Sequence, residues 1–288
     1  MLFTNRVMTF MMPLMMILMN ATSILIVWVA SHKIDAGTLE VGTMTAFITY
    51  AMLIIMSFLI MTALAIFLPR AEVAAGRIDE ILETPASIVD QADAKEYEIK
   101  QGVVAFNHVA FRYPGAEEYA IEDITFTANP GETTAIIGST GSGKSTMIQL
   151  IPRFFDVDEG SISIDGCDIR SMTMHSLREG IGYVPQKGVL FSGTIESNIK
   201  YAGDRITDEQ MKEAAEIAQA TEFIHEKKEQ YNSSIAQGGT NVSGGQKQRL
   251  SIARAIAKNS KIYIFDDSFS ALDYKTDAVL RKALYKKV

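Results

Sequence analysis

A chain of 288 residues is long enough for more than one domain, and its 48% hydrophobic and 21% charged residues hide an uneven distribution along the chain that argues against a simple soluble enzyme. Its net charge of −7 argues against a nucleic-acid partner, whose phosphates demand a basic face. The single cysteine, Cys167, excludes an internal disulfide and reads as a structural thiol in a reducing compartment.

The apolar residues gather at the start. Val7 to Ser31 holds no Asp, Glu, Lys or Arg over 25 positions, and Val41 to Leu68 holds none over 28. Both exceed the ~20 residues an α-helix needs to cross a bilayer. With the polar loop His32 to Glu40 between them, they predict a membrane hairpin rather than core helices. A cleaved signal peptide fits poorly, because its apolar stretch is typically ~7–15 residues. Arg6 precedes the first span, Arg70 and Arg77 follow the second, and only Lys33 lies in the loop, so both ends are expected in the cytoplasm of a multi-pass membrane protein. Eleven of the 15 methionines fall before residue 69 and read as adaptable apolar filler. The hairpin offers Asn20, Thr22, Ser23 and Trp28, but no intramembrane charge that would name a cargo.

A helical pattern continues through Val73, Arg77 and Ile81 until Thr84-Pro85 stops it. The polar stretch from Asp90 to Gln101 reads as a linker. The expected organisation is therefore a hairpin with its helical extension over 1–83, a linker over 84–101 and a globular domain over 102–288. In that domain short apolar runs alternate with helical patterns: Val103 to Phe111, Ile121 to Phe126, Thr133 to Ile137, a helix after Lys144, then Ser161 to Ile164, Ile181 to Val184 and Lys261 to Phe265. This is an α/β layout with an added β portion at its start.

Residues Gly138, Ser139, Thr140, Gly141, Ser142, Gly143, Lys144, Ser145 and Thr146 satisfy G-x-x-x-x-G-K-[ST] between an expected strand and an expected helix. The glycines let backbone N–H groups turn around the phosphates of ATP, Lys144 places a charge on the β/γ oxygens, and the Ser145 hydroxyl can ligate Mg2+. The run Lys261 to Phe265 ends in Asp266, where a nucleotide-binding sheet places the carboxylate that holds Mg2+. Any buried strand can end in Asp, so that signal draws its weight from the loop upstream. Asp267 then faces the γ-phosphate and the attacking water, or else is a solvated strand end. Ser243, Gly244, Gly245 and Gln246 open a further helix with an S-x-x-Q capping box.

Taken with the loop and the aspartate strand, that last segment resembles the signature motif of ABC ATPases, usually Leu-Ser-Gly-Gly-Gln; Val242 replaces the leucine. The resemblance covers nearly the whole chain. It implies a P-loop ABC ATPase domain with a helical signature region, preceded by two transmembrane helices that are similar to the last two of an exporter's six. It also implies that the signature binds ATP held by a second half-transporter subunit, and that Ser270, Ala271, Leu272 and Asp273 form a dimer-contact loop. Tyr113 matches the aromatic residue that stacks on adenine, and Gln186 the glutamine that reaches Mg2+ and the attacking water. Four earlier membrane helices, their cytoplasmic docking loops and the family's switch histidine are not in the sequence, since His32, His108, His175 and His225 stand elsewhere. The chain therefore reads as a segment of a longer subunit. Asp267 replaces the family's catalytic Glu, and Gln237 an acidic residue common in exporters. The first departure implies a weak own site in a heterodimer, or a regulatory ATP-binding subunit. A DNA-maintenance ATPase shares the motifs, but the membrane spans and acidic balance count against it.

Overall fold

The computed structural model describes residues 2–203 and 205–287, with side chains for all but residues 2–8, 11, 12 and 287. The chain divides into two units, Met1–Pro85 and Ala86–Val288.

The first unit is a pair of helices, α1 (Leu2–Asp35) and α2 (Val41–Glu83), packed on one another. Helix α1 runs past the apolar stretch through His32, so the connection is shorter than the expected loop and turns at Gly37 with φ +69°. No described residue of α2 is buried, and Phe47, Leu53, Phe58 and Leu64 all stand exposed. The polar side chains within this apolar surface are satisfied locally. Asn20 donates to Met16 O, Thr22 to Leu18 O, Ser23 to Met19 O, Thr45 to Val41 O, Ser57 to Leu53 O and Thr62 to Phe58 O, all at 2.7–3.0 Å. Such back-bonding to the i−4 carbonyl removes the cost of carrying these groups into hydrocarbon. At ~1.5 Å per residue α2 is roughly 65 Å long, about twice a bilayer's ~30 Å core, so its charged end from Arg70 onward extends beyond any span. The Arg6 side chain lies outside the described residues.

The second unit contains, in chain order, β1 (Val104–Phe111), β2 (Ile121–Ala128), α3 (Lys144–Leu150), β3 (Glu159–Ile164), β4 (Cys167–Asp168), α4 (Met174–Glu179), β5 (Ile181–Val184), β6 (Gly193–Thr194), α5 (Ile195–Ile199), α6 (Asp208–Ile217), α7 (Thr221–His225), β7 (Ser234–Ile235), α8 (Gly244–Ala257), β8 (Ile262–Phe265) and α9 (Tyr274–Lys287). An antiparallel sheet in the order β2-β1-β3-β4 forms the added β portion, β5 pairs with β8 in parallel, and β6 pairs with β7. One apolar core lies under the first sheet and includes Phe106, Ile162, Leu150 and Ile264; a second joins α5, α6 and α8 through Ile195, Met211 and Leu250.

Two features differ from the sequence expectations. Thr133–Ile137 is no strand: it carries no ladder bonds, and Ile137 is 90% exposed. Its β-forming side chains need a paired neighbour to define a strand, and β5 and β8 pair only with each other among the described residues. The polar stretch 90–101, expected as a linker, lies on the second unit. Asp165, in a left-handed turn at φ +50°, accepts from the N–H groups of Lys100 and Gln101 at Oδ2 and of Gly102 and Val103 at Oδ1, all within 2.8–3.0 Å. Ile99 enters the sheet core at 6% exposure.

Candidate functional site

The loop 138–146 closes on two left-handed glycines, Gly141 at φ +84° and Gly143 at φ +82°. Gly143 caps α3 in that conformation. A Cβ there would stand 2.5 Å from Ile121 Cγ2 and 2.7 Å from Ala120 O, so only glycine lets the loop lie on the start of β2. Lys144 folds back over the loop and donates to Gly138 O at 3.0 Å and Ser139 O at 2.6 Å. These are bonds that phosphate oxygens can replace, because an ammonium is a compact charge on a flexible stem.

Ser145 Oγ donates to Asp266 Oδ1 at 2.7 Å, across 121 residues of sequence. Asp266 is 8% exposed at the end of β8. A hydroxyl beside a carboxylate is a hard-oxygen pair whose chemistry suits Mg2+ together with phosphate oxygens and water. Tyr183 stands by; burial first and then the Asp266 charge raise its phenol, keeping it a neutral donor.

The position of Asp267 follows from register. Because β5 and β8 run parallel with Val184 opposite Phe265, the residues two further along, Gln186 and Asp267, emerge at the same edge. Gln186 Nε2 donates to Asp267 Oδ2 at 3.3 Å. Asp267 is exposed and left-handed at φ +44°, a conformation Asp tolerates better than most side chains. Gln186, expected at the metal as well, has its amide on Asp267 here. Tyr113 meets the end of the loop 138–146: its hydroxyl and Thr146 Oγ1 are 2.9 Å apart, and its ring meets Phe111 and Phe155 edge-on at 5.0 and 5.4 Å.

At the start of α8 the expected capping box is present. Ser243 Oγ accepts from Gln246 N at 3.3 Å, and Gln246 Oε1 from Ser243 N at 3.1 Å. Ser243 and Gly244 face solvent, and a Cβ on Gly245 would lie 3.3 Å from Ala271 O, so the signature touches the Ser270–Asp273 loop. That loop begins α9. Asp273 accepts from Thr276 N at 3.0 Å and Thr276 Oγ1 at 2.7 Å, and these bonds, the side-chain one foremost, lower its carboxyl.

Gln248 escaped the sequence reading. It shares the buried stripe of α8 with Ile252 and Ile256 at i+4 and i+8. A polar residue on a core stripe was the signal.

A family described as ABC transporter matches residues 121–270. An uncharacterized ABC transporter ATP-binding protein of Mycobacterium tuberculosis is 43% identical over 278 residues, covering 95% of this chain and 47% of its own length. YfiB of Bacillus subtilis, also an uncharacterized ABC transporter ATP-binding protein, is 41% identical over 275 residues, covering 96% and 48%. The chain thus spans about half the length of the curated relatives it matches. The solved structure of a bacterial Atm1-family ABC exporter with ATP bound superposes with a TM-score of 0.75 at 31% identity, covering 87% of this chain and 44% of that one.

Proposed function

Because this chain belongs to the ABC transporter family, we propose that it is the ATP-binding part of a membrane export subunit whose own nucleotide site hydrolyses slowly. The observation that carries the reading is the bond between Ser145 and Asp266, which joins the phosphate loop to the strand-end carboxylate. The export direction is supported by the Atm1-family likeness and by two apolar helices preceding the ATPase unit in one chain.

In this reading Lys144 exchanges the loop carbonyls for the β/γ-phosphates, and the Tyr113 ring stacks on adenine. Ser145, Asp266 and Gln186 would hold Mg2+, which when bound would neutralise phosphate charge. Asp267 holds the attacking water and takes its proton, while Gln186 steadies the carboxylate through Oδ2. Ser243 to Gln246, at a helix N-terminus, cover the γ-phosphate bound by a second subunit, and Ser270 to Asp273 meet that subunit. The hairpin sits in membrane lipid, its self-satisfied hydroxyls needing no water, with Arg70 and Arg77 keeping the ATPase unit cytoplasmic.

Asp267 sets the rate. Its carboxylate stands about one C–C bond farther back than a Glu would place it, and ~1 Å of misplacement can cost about a hundredfold. The signature is complete from Ser243 onward, so the chain can still finish a competent site on a different partner. This asymmetry favours a heterodimer. The test is to co-express the full-length subunit with a candidate exporter half and compare two changes. Asp267→Ala leaves most ATP turnover intact, whereas removing the partner's matching Glu abolishes it. Equal loss from both would show Asp267 to be an adequate base. The same departure supports a second reading, a regulatory subunit that binds ATP without turning it over; single-turnover hydrolysis at this chain's own site separates the two.

A further inference from the structure

The geometry points to Gln248 as a positioning residue for Gln186, and through it for Asp267, an inference that rests on the nucleotide reading above. Gln248 is 2% exposed and has both ends of its amide on the loop that carries Gln186. Its Oε1 accepts from Gly188 N at 2.8 Å, and its Nε2 donates to Pro185 O at 3.1 Å. The two bonds straddle Gln186. Just upstream, the chain is fastened to β8 and the segment after it: Asp266 N donates to Val184 O at 3.0 Å, and the buried Ser268 Oγ to the same oxygen at 2.8 Å. Gln186 therefore lies between an attachment to the sheet and an attachment to the helix that begins with Ser243–Gln246.

The loop backbone rests directly on that helix. A Cβ on Gly188 would stand 2.9 Å from both Lys247 O and Ser251 Oγ. A carboxamide alone can accept from Gly188 and donate to Pro185 at once; a carboxylate sets acceptor against acceptor, and an alkyl group leaves both partners unpaired. Any shift of α8 on engaging a nucleotide at its N-terminus thus moves the 185–188 backbone, and with it the Gln186 amide that holds Asp267 Oδ2.

The test uses the full chain in lipid, with Gln248→Leu, Gln248→Glu and Gln186→Ala compared with the parent. Single-turnover MgATP hydrolysis, affinity for an ATP analogue, Tm and amide hydrogen exchange over residues 186–190 are measured on each. Gln248→Leu is expected to slow hydrolysis at least tenfold, inside the roughly hundredfold that ~1 Å of misplacement costs, with analogue affinity unchanged within about twofold. Exchange at Gly188 quickens while that of residues 138–146 stays as it was. Gln248→Glu keeps the acceptor for Gly188 and loses the donor to Pro185, so exchange stays slow and hydrolysis still falls. If Gln186→Ala slows hydrolysis and Gln248→Leu changes neither rate nor exchange, the positioning role is overturned by itself. A joint fall of affinity, Tm and rate in both Gln248 variants also overturns it, since it shows a packing role only. If Gln186→Ala leaves hydrolysis unchanged, the part given to Gln186 in the nucleotide reading is wrong and the role of Gln248 goes with it.

Discussion

Tyr113 touches three side chains, Phe111, Phe155 and Thr146, and keeps 37% of its surface open. A ring held by two others while over a third of the residue stays open is available for stacking, and its hydroxyl bond can be tested apart from the ring. Tyr113→Ala is predicted to weaken ATP binding by roughly 1–3 kcal/mol, the range for a base stacked on an aromatic side chain. Tyr113→Phe removes only the Thr146 bond, a net ~0.5–1.5 kcal/mol, and most of that falls on stability instead of affinity. A competition titration distinguishes them; equal affinity in parent and Tyr113→Ala would return the ring to an ordinary half-buried surface role. At this scale the sequence was readable where chemistry is contiguous. The loop 138–146 and the box Ser243–Gln246 each declare themselves within a few residues. Gln248 did not, because its partners Gly188 and Pro185 lie 60 and 63 residues away.

Between elements, the parallel register of β5 and β8 was half legible. Both apolar runs were visible, but only the pairing of Val184 with Phe265 brings Gln186 and Asp267 to one edge. The run Thr133–Ile137 shows the reverse, a strand-like composition without a partner. The charges of residues 90–101 suggested a linker without showing what pins its end, because the acceptor, Asp165, is 62 to 65 residues distant. That clip has a pH signature. Burial alone would raise the Asp165 carboxyl, but four backbone N–H donors outweigh it and hold it below its ordinary value of 3.8. The folded state therefore binds a proton less readily than the unfolded state, so the stabilisation is complete above about pH 3.8 and is lost as pH falls through the folded value. Asp165→Asn, which offers an acceptor to only one pair of donors, is predicted to cost about 1–3 kcal/mol, or roughly 2–12 °C in Tm. Its Tm should differ from the parent's at pH 7 and approach it in acid. A constant gap down to acid pH would mean that shape, not charge, holds the segment.

For the whole molecule, the proposed function requires two spans and an ATPase unit on the cytoplasmic side. A cysteine placed at Ala36, in the turn between α1 and α2, should be labelled by an impermeant thiol reagent in intact cells. Labelling only after the membrane is breached would invert the topology. An apolar hairpin was legible in the sequence because charge-free stretches of that length have few other uses; the proposed assembly rests on the motif Ser243–Gln246 alone. The claim on which all of this depends is that residues 138–146 bind ATP. Its most direct test is a titration of a fluorescent ATP analogue with Mg2+ into the full chain in lipid nanodiscs, parent against Lys144→Ala. Loss of the charge that folds over the loop carbonyls should weaken binding by a charged hydrogen bond or two, about 1.5–3 kcal/mol each, which is tenfold or more. Saturable binding in the parent with at least that loss in the variant is the predicted result; equal affinity in the two would contradict the assignment of the phosphate loop and the function built on it.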